Sequence, residues 1–291
     1  MDFEERKRRM RRLVLLSQAL SKALETGGFR SSFKGRGMDF DGLREYQVDD
    51  DALRIDWNAT ARLGRPYLKT YVDDRSLSVY LVVDESASMD YGEAGGKASR
   101  AALAAALLAY ACARNGASVG ALFFSGDGYE HRPPAAGERA ALALSERALE
   151  GRRGGGRGSD LGGALAAASS FLKRKSLVVV ISDFFCRGYE LPLAMAARRH
   201  DLVALVLRDG DEAAWLPRLL VRAVDAESGA PSLAFGRSAS YRHARERAAQ
   251  SRRLELLAAL AAAGAPYLEL GPDDDLALAL VRFFGRPRRR S

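Results

Sequence analysis

An apolar run containing Val79, Leu81, Val82 and Val83 stops on an acid, Asp84, and two hydroxyls follow at alternate positions, Ser86 and Ser88. The spacing D-x-S-x-S sets one carboxylate and two hydroxyls on a tight loop just past a strand. Hard oxygen donors in small number suit Mg²⁺ first and Mn²⁺ second. Open α/β sheets bind their ligands outside the carboxyl ends of the strands, which is where this loop falls. Two more features of the same kind lie downstream. VVVISDF places Asp183 just past another apolar strand, and GGGRGSDLGGAL places Ser159 and Asp160 at a helix start. A serine there is also a good helix N-cap. Glu85 and Asp90 lie beside the motif. Strand alternation turns Glu85 away from the ligand pair, and both are expected to be solvated acids.

These residues need a frame. Residues 1–26 predict a helix with Leu13, Leu16, Leu20 and Leu24 on one face. Residues 27–75 show no helical period and read as loops and short strands carrying Tyr46, Trp57, Tyr67 and Tyr71. From residue 76 apolar strands alternate with amphipathic helices. Strands are expected over 77–84, 118–124, 177–182, 201–207 and 266–270, with a hairpin arm near 129–134. Helices are expected near 97–115, 137–150, 160–173, 189–199, 239–263 and 273–284, and short strands within 210–237. Such alternation predicts an α/β fold with a doubly wound, mostly parallel sheet, an N-terminal helix and a small β-rich subdomain. The expected division is 1–75 for the helix and β-rich segment, 76–285 for the α/β domain and 286–291 for a basic tail.

The 291 residues, 47% hydrophobic and 28% charged, describe an ordinary globular chain. No apolar stretch reaches the roughly 18 residues of a membrane span, and the charged N-terminus lacks a signal peptide's apolar core. A cytoplasmic location is expected. Most of the net charge of +8 sits in residues 1–12 and in the four arginines of 285–291. Those ends read as solubilising, with binding to nucleic acid or an anionic surface as the alternative. Cys112 and Cys186 lack C-x-x-C spacing and read as free thiols. His131, His200 and His243 lack zinc-ligand spacing.

The order D-x-S-x-S, then a hydroxyl residue, then an Asp, resembles the von Willebrand factor type A fold and its metal-ion-dependent adhesion site. That resemblance implies a metal site of Asp84, Ser86, Ser88, Ser159 and Asp183. It implies that Ser86 and Ser88 bind the ion directly and that Asp84 and Asp183 act through water. Ser159 stands where that family more often has Thr. A finer resemblance lies upstream. Arg44 and Tyr46, then Ile55, Asp56, Trp57, Thr60, Ala61 and Arg62 in R-I-D-W-N-A-T-A-R, run into the D-x-S-x-S strand. Together these are similar to the bacterial family called domain of unknown function 58, over about residues 30–285. Where that family has a Gly before an acidic pair, this chain has Asp49. The resemblance implies partnership with a MoxR-type AAA ATPase in assembling or remodelling proteins.

A first shell of hydroxyls leaves a divalent ion's charge poorly neutralised and open to a carboxylate from another protein. The expected function is therefore non-catalytic, metal-bridged protein docking. A metal-dependent hydrolase is the rival, but an aspartyl-nucleophile enzyme would want an Asp where Ser86 stands. The Gly-rich loop 151–159 has no P-loop Lys. Arg44, Tyr46, Asp56, Trp57 and Arg62 read either as a structural set, with Asp56, Arg62 and Arg44 in a buried ion network, or as a contact surface for a partner.

Overall fold

A strand apolar at every position, as Val79 to Val83 is, belongs in a sheet covered on both faces. A computed structural model describes residues 3–26, 39–47, 55–72, 77–90, 96–151, 158–209, 220–224, 231–235 and 239–286. In chain order its elements are α1 (Phe3–Thr26), β1 (Asp39–Glu45), α2 (Trp57–Leu63), β2 (Tyr67–Val72), β3 (Ser78–Asp84), α3 (Lys97–Arg114), β4 (Ser118–Ser125), β5 (Gly128–Ala135), α4 (Glu138–Glu150) and α5 (Leu161–Phe171). Then follow β6 (Leu177–Ser182), α6 (Glu190–Arg199), β7 (Asp201–Leu207), β8 (Leu220–Val224), β9 (Pro231–Phe235), α7 (Ala239–Ala262), β10 (Tyr267–Leu270) and α8 (Leu276–Gly285).

The central sheet runs β10-β7-β6-β3-β4-β5. Its first five strands in that order are parallel, and β5 joins β4 antiparallel at the edge. This is the doubly wound, mostly parallel sheet expected from the sequence. Winding goes from β3 outward to β4 and β5, then returns to the other side of β3 with β6, β7 and β10. The switch in direction therefore falls between β3 and β6. At such a point the connections leave in opposite directions and open a crevice above the carboxyl ends of the strands.

Tyr80, Val82, Leu122, Phe124, Val178 and Val180 form one buried cluster with Leu161 and Leu165 of α5, Leu193 of α6 and Leu256 and Leu260 of α7. Helix α3 is buried along most of its length, including Ala104, Ala105, Ala106, Ala109 and Ala111. Small side chains let α3 pack at once on the sheet and against α1, α4 and α8. Leu13, Leu20 and Leu24 of α1 are buried, and the Asn115 amide donates to the Ser21 carbonyl oxygen at 2.9 Å. Among the described residues no helix is long and apolar enough to cross a membrane.

The compact units depart from the expected division at 75/76. Residues Met1–Arg30 belong with Leu77–Ser291, and Ser31–Ser76 form the second unit. The reason is packing: the apolar face of α1 has its partners in α3 and α8. Within the second unit, β1 and β2 pair antiparallel. The structure also places there a helix, α2, that the expectation of loops and short strands omitted. Seven residues show too little periodicity to be seen in a sequence. End chemistry makes this helix instead. The Asp56 carboxylate accepts from the backbone N–H of Asn58 at 2.9 Å and of Ala59 at 3.2 Å, and Gly64 closes the helix at φ 72°. Arg44 and Arg62 are exposed and Asp56 is half-buried, so any pairing among them is not the buried ion network suggested for Asp56, Arg62 and Arg44. Asp49, the loop from 152 to 157 and the arginines beyond 286 lie outside the described residues.

Gly120 sits where the β4–β5 register shifts. A Cβ there would lie 2.6 Å from the Pro134 nitrogen and 2.7 Å from the Arg132 carbonyl oxygen, both backbone atoms that cannot swing aside. Gly120→Ala is expected to cost about 1–3 kcal/mol, seen as a lower urea midpoint with an unchanged m-value.

Candidate metal centre

Asp84 ends the central strand at the switch point and is 2% exposed. A carboxylate taken out of water needs hydrogen-bond donors, and three separate loops supply them. The Ser86 N–H donates to Oδ1 at 2.9 Å, from the loop after β3. The Ser182 hydroxyl, at the end of neighbouring β6, donates to Oδ2 at 2.6 Å. The Ser159 hydroxyl lies 3.5 Å from the same oxygen. Burial first, and then the negative charge of Asp183, push the Asp84 carboxyl up to about 7.

Past Asp84 a single 3₁₀ turn (Ala87–Asp90) folds the chain back, with the Met89 N–H donating to the Ser86 carbonyl oxygen at 3.1 Å. The turn brings the Ser86 and Ser88 hydroxyls to 3.1 Å from each other, both buried. Two oxygens on adjacent corners of an octahedron with bonds of about 2.1 Å stand about 3.0 Å apart. The two hydroxyls are hydrogen-bonded to each other at a spacing that a small divalent ion could also bridge, and hydroxyl and carboxylate oxygens are the donors that Mg²⁺ or Mn²⁺ prefers.

Asp160 is the N-cap of α5, its carboxylate accepting from the Gly163 N–H at 2.8 Å. Ser159 is left to face Asp84. Its loop is held from the other side by the Gly126 N–H, which donates to the Gly158 carbonyl oxygen at 2.9 Å. Asp183 follows Ser182 on the crevice rim, with a side chain 5% exposed. Its Oδ1 accepts from the Phe185 N–H at 2.9 Å. The intervening Phe184 has φ 55°, unusual for a residue with a side chain. That backbone conformation is held while Phe184 is buried edge-on to Tyr189.

All five residues named from sequence thus lie around one crevice, linked through Asp84 and the β3–β6 pairing. Three others there were not anticipated. Ser182 is one, and its strand-end position in VVVISDF was its only signal. The second is Lys97, whose ammonium lies 2.7 Å from Asp183 Oδ2 and 3.0 Å from Asp209 Oδ2. Burial lowers its pKa, but the two carboxylates more than offset this and hold it above its ordinary value. The third is Arg147 of α4. Its guanidinium grips Glu85 with two bonds of 2.9 and 3.0 Å, donates to Glu130 at 2.7 Å and lies 4.1 Å over the Phe123 ring. Glu85 is clamped by a buried arginine and is not the solvated acid expected. Asp90 is exposed. Cys112 and Cys186 are both free thiols, as expected.

With the site in view, the chain can be set beside known proteins. The model of the family described as protein of unknown function DUF58 matches residues 42–255. The chain belongs to that family. This DUF58 chain is also 32% identical over 263 residues to uncharacterized proteins of Mycobacterium tuberculosis and Mycobacterium bovis, covering 88% of its own length and 81% of theirs. Among solved structures it is similar to the conserved hypothetical protein BatB from Bacteroides thetaiotaomicron. That overlap has 12% identity and a TM-score of 0.46, and covers 71% of this chain and 96% of that one. It is likewise similar to the VWA domain of SpRpn10, with 12% identity and a TM-score of 0.42 over 74% and 100% of the two chains. The α/β fold of this DUF58 chain is defined by its own strand order.

A carboxyl with a folded-state pKa near 7, against an ordinary 3.8, binds its proton more tightly in the native protein. Stability of the metal-free protein is therefore fullest below the ordinary value and falls as pH rises towards 7. Asp84→Asn should flatten that slope, which is at most about 1.4 kcal/mol per pH unit. Urea midpoints of wild type and variant between pH 4 and 8 measure it.

Proposed function

We propose that this chain is a non-catalytic docking module that recruits another protein through a divalent ion, Mg²⁺ by preference and Mn²⁺ as the substitute. The observation that carries the reading is the buried Ser86–Ser88 hydroxyl pair, 3.1 Å apart, poised beside a desolvated Asp84. Ser86 and Ser88 would hold the ion directly, and Ser159, Asp84 and Asp183 would surround it. When bound, the ion supplies positive charge that neutral hydroxyls leave largely uncompensated, so it attracts an acidic side chain from outside. Asp84 orients the serine loop through the Ser86 N–H. Ser182 and Ser159 keep Asp84 in place. The Arg147 clamp on Glu85 braces the same loop from behind.

The family resemblance points to a MoxR-type AAA ATPase as the partner, with the acid on its surface. Support for docking without turnover comes from how the side chains around the crevice are used. Lys97 is paired with two carboxylates, and Arg147 with Glu85 and Glu130. The histidines lie away from the crevice: His131 bonds the Tyr80 hydroxyl at 2.6 Å, His200 stands beside the start of β7 at the opposite end of the sheet, and His243 lies exposed on α7.

Calorimetric titration with Mg²⁺ and Mn²⁺ is expected to show one site in the wild type. Asp84→Ala and Ser86→Ala should weaken it at least tenfold. Binding to the purified ATPase should be lost in the same variants and in chelator. Binding that persists through all of these would remove the ion from the mechanism.

Within the unit of residues 31–76, Trp57 is 69% exposed and Leu63 54%. Trp is enriched at protein–protein contacts relative to the rest of the surface, so Trp57 is the position offered for a second partner contact. Trp57→Ala should change unfolding free energy by less than about 0.5 kcal/mol while lowering affinity for the ATPase without altering Mg²⁺ affinity.

A further inference from the structure

Lys97 is out of place by the ordinary rules of helices. It opens α3, where a positive charge opposes the helix dipole. Its side chain is nevertheless only 7% exposed. Lysines are almost never buried unless paired, and this one is paired twice, with Asp183 at 2.7 Å and Asp209 at 3.0 Å. Asp183 gives one oxygen to Lys97 and the other to the Phe185 N–H. Both of its oxygens are therefore already bonded. Asp209 lies just past β7, the strand beside β6, and is 27% exposed. It thus reaches from the crevice towards water.

A divalent ion held against Asp183 is repelled by the ammonium 2.7 Å from its Oδ2, because Coulomb repulsion is strong where water is excluded. We propose that the Lys97 ammonium is a tethered competitor for the divalent ion. It neutralises Asp183 in the ion-free protein and must shift onto Asp209 for the ion to be held. The inference rests on the metal-docking reading above and adds how that site is regulated. Lys97 sets the affinity low, so that the ion alone binds weakly. An acid arriving from the partner restores the missing negative charge, and ion and partner then stabilise each other's binding. Such reciprocity follows whenever two ligands bias the same pair of states. Asp209 is the seat that makes the exchange reversible.

The test uses the full chain and three proteins: wild type, Lys97→Met and Asp209→Asn. Lys97→Met removes the charge but keeps the apolar stem. Mg²⁺ and Mn²⁺ affinities are read by calorimetry, and melting temperatures with and without Mg²⁺. Lys97→Met should bind the ions on the order of tenfold tighter. It should melt lower than wild type without metal and gain more from Mg²⁺. Asp209→Asn leaves the lysine only Asp183, so ion binding should weaken by several-fold. If wild type binds and Lys97→Met binds equally or more weakly, the competition is overturned while the metal reading stands. If neither binds, both fall. Binding by Lys97→Met alone would support the competition in its strongest form, the native site loading only when the partner's acid is present. Should Lys97→Met fail to fold, Asp209→Asn decides: weaker binding supports the inference, and unchanged or tighter binding overturns it.

Discussion

A single buried carboxylate organises the working end of this protein. Asp84 lies at the end of a strand enclosed on both faces, and its desolvation is costly unless donors surround it. Those donors come from the β3–α3 loop, the end of β6 and the segment entering α5. Each must fold to its place for the acid to be tolerated. The same bonds that satisfy Asp84 also fix the hydroxyls in their mutual positions. Stability and site geometry are consequences of one interaction.

Around that acid, charge is laid out in two opposed arms. On the β4 side, Arg147 ties Glu85 and Glu130 together over an aromatic ring. On the β7 side, Lys97 ties Asp183 to Asp209. Breaking a buried pair by removing one partner typically costs about 3–5 kcal/mol, so each arm stays closed unless another charge takes the place of the one that leaves. The arms differ in reach. Arg147 is forked and bonded on both edges, which suits a permanent brace. Lys97 is a point charge on a flexible stem, which suits a group that changes partner.

Much of this was legible in the sequence. The strands and helices of the α/β unit follow from their periodicities to within a few residues, and so does the placement of Asp84, Ser86, Ser88, Ser159 and Asp183 at the ends of strands or at a helix start. What was not legible shares a physical cause. Hydrophobic pattern reports which faces are covered, but a lone Lys or Arg in a helix reads as solvated because that is its usual fate. Nothing in the pattern told Lys97 or Arg147 from the many exposed basic residues. Helix α2 escaped for a different reason, since seven residues held by Asp56 and Gly64 are defined by their ends and not by a face. Helix α1 was seen as a helix. Its membership in the α/β unit depended on long-range packing that no local window contains.

That membership makes the α/β fold discontinuous along the chain. Residues 31–76 are inserted into it, joined at both ends to the same folded body. A fragment cut to begin at Leu77, where the strand pattern invites the scissors, would lose the leucine ridge of α1 and leave a flank of α3 uncovered. Such a fragment is prone to self-association. Truncation studies of this protein should therefore keep the first thirty residues.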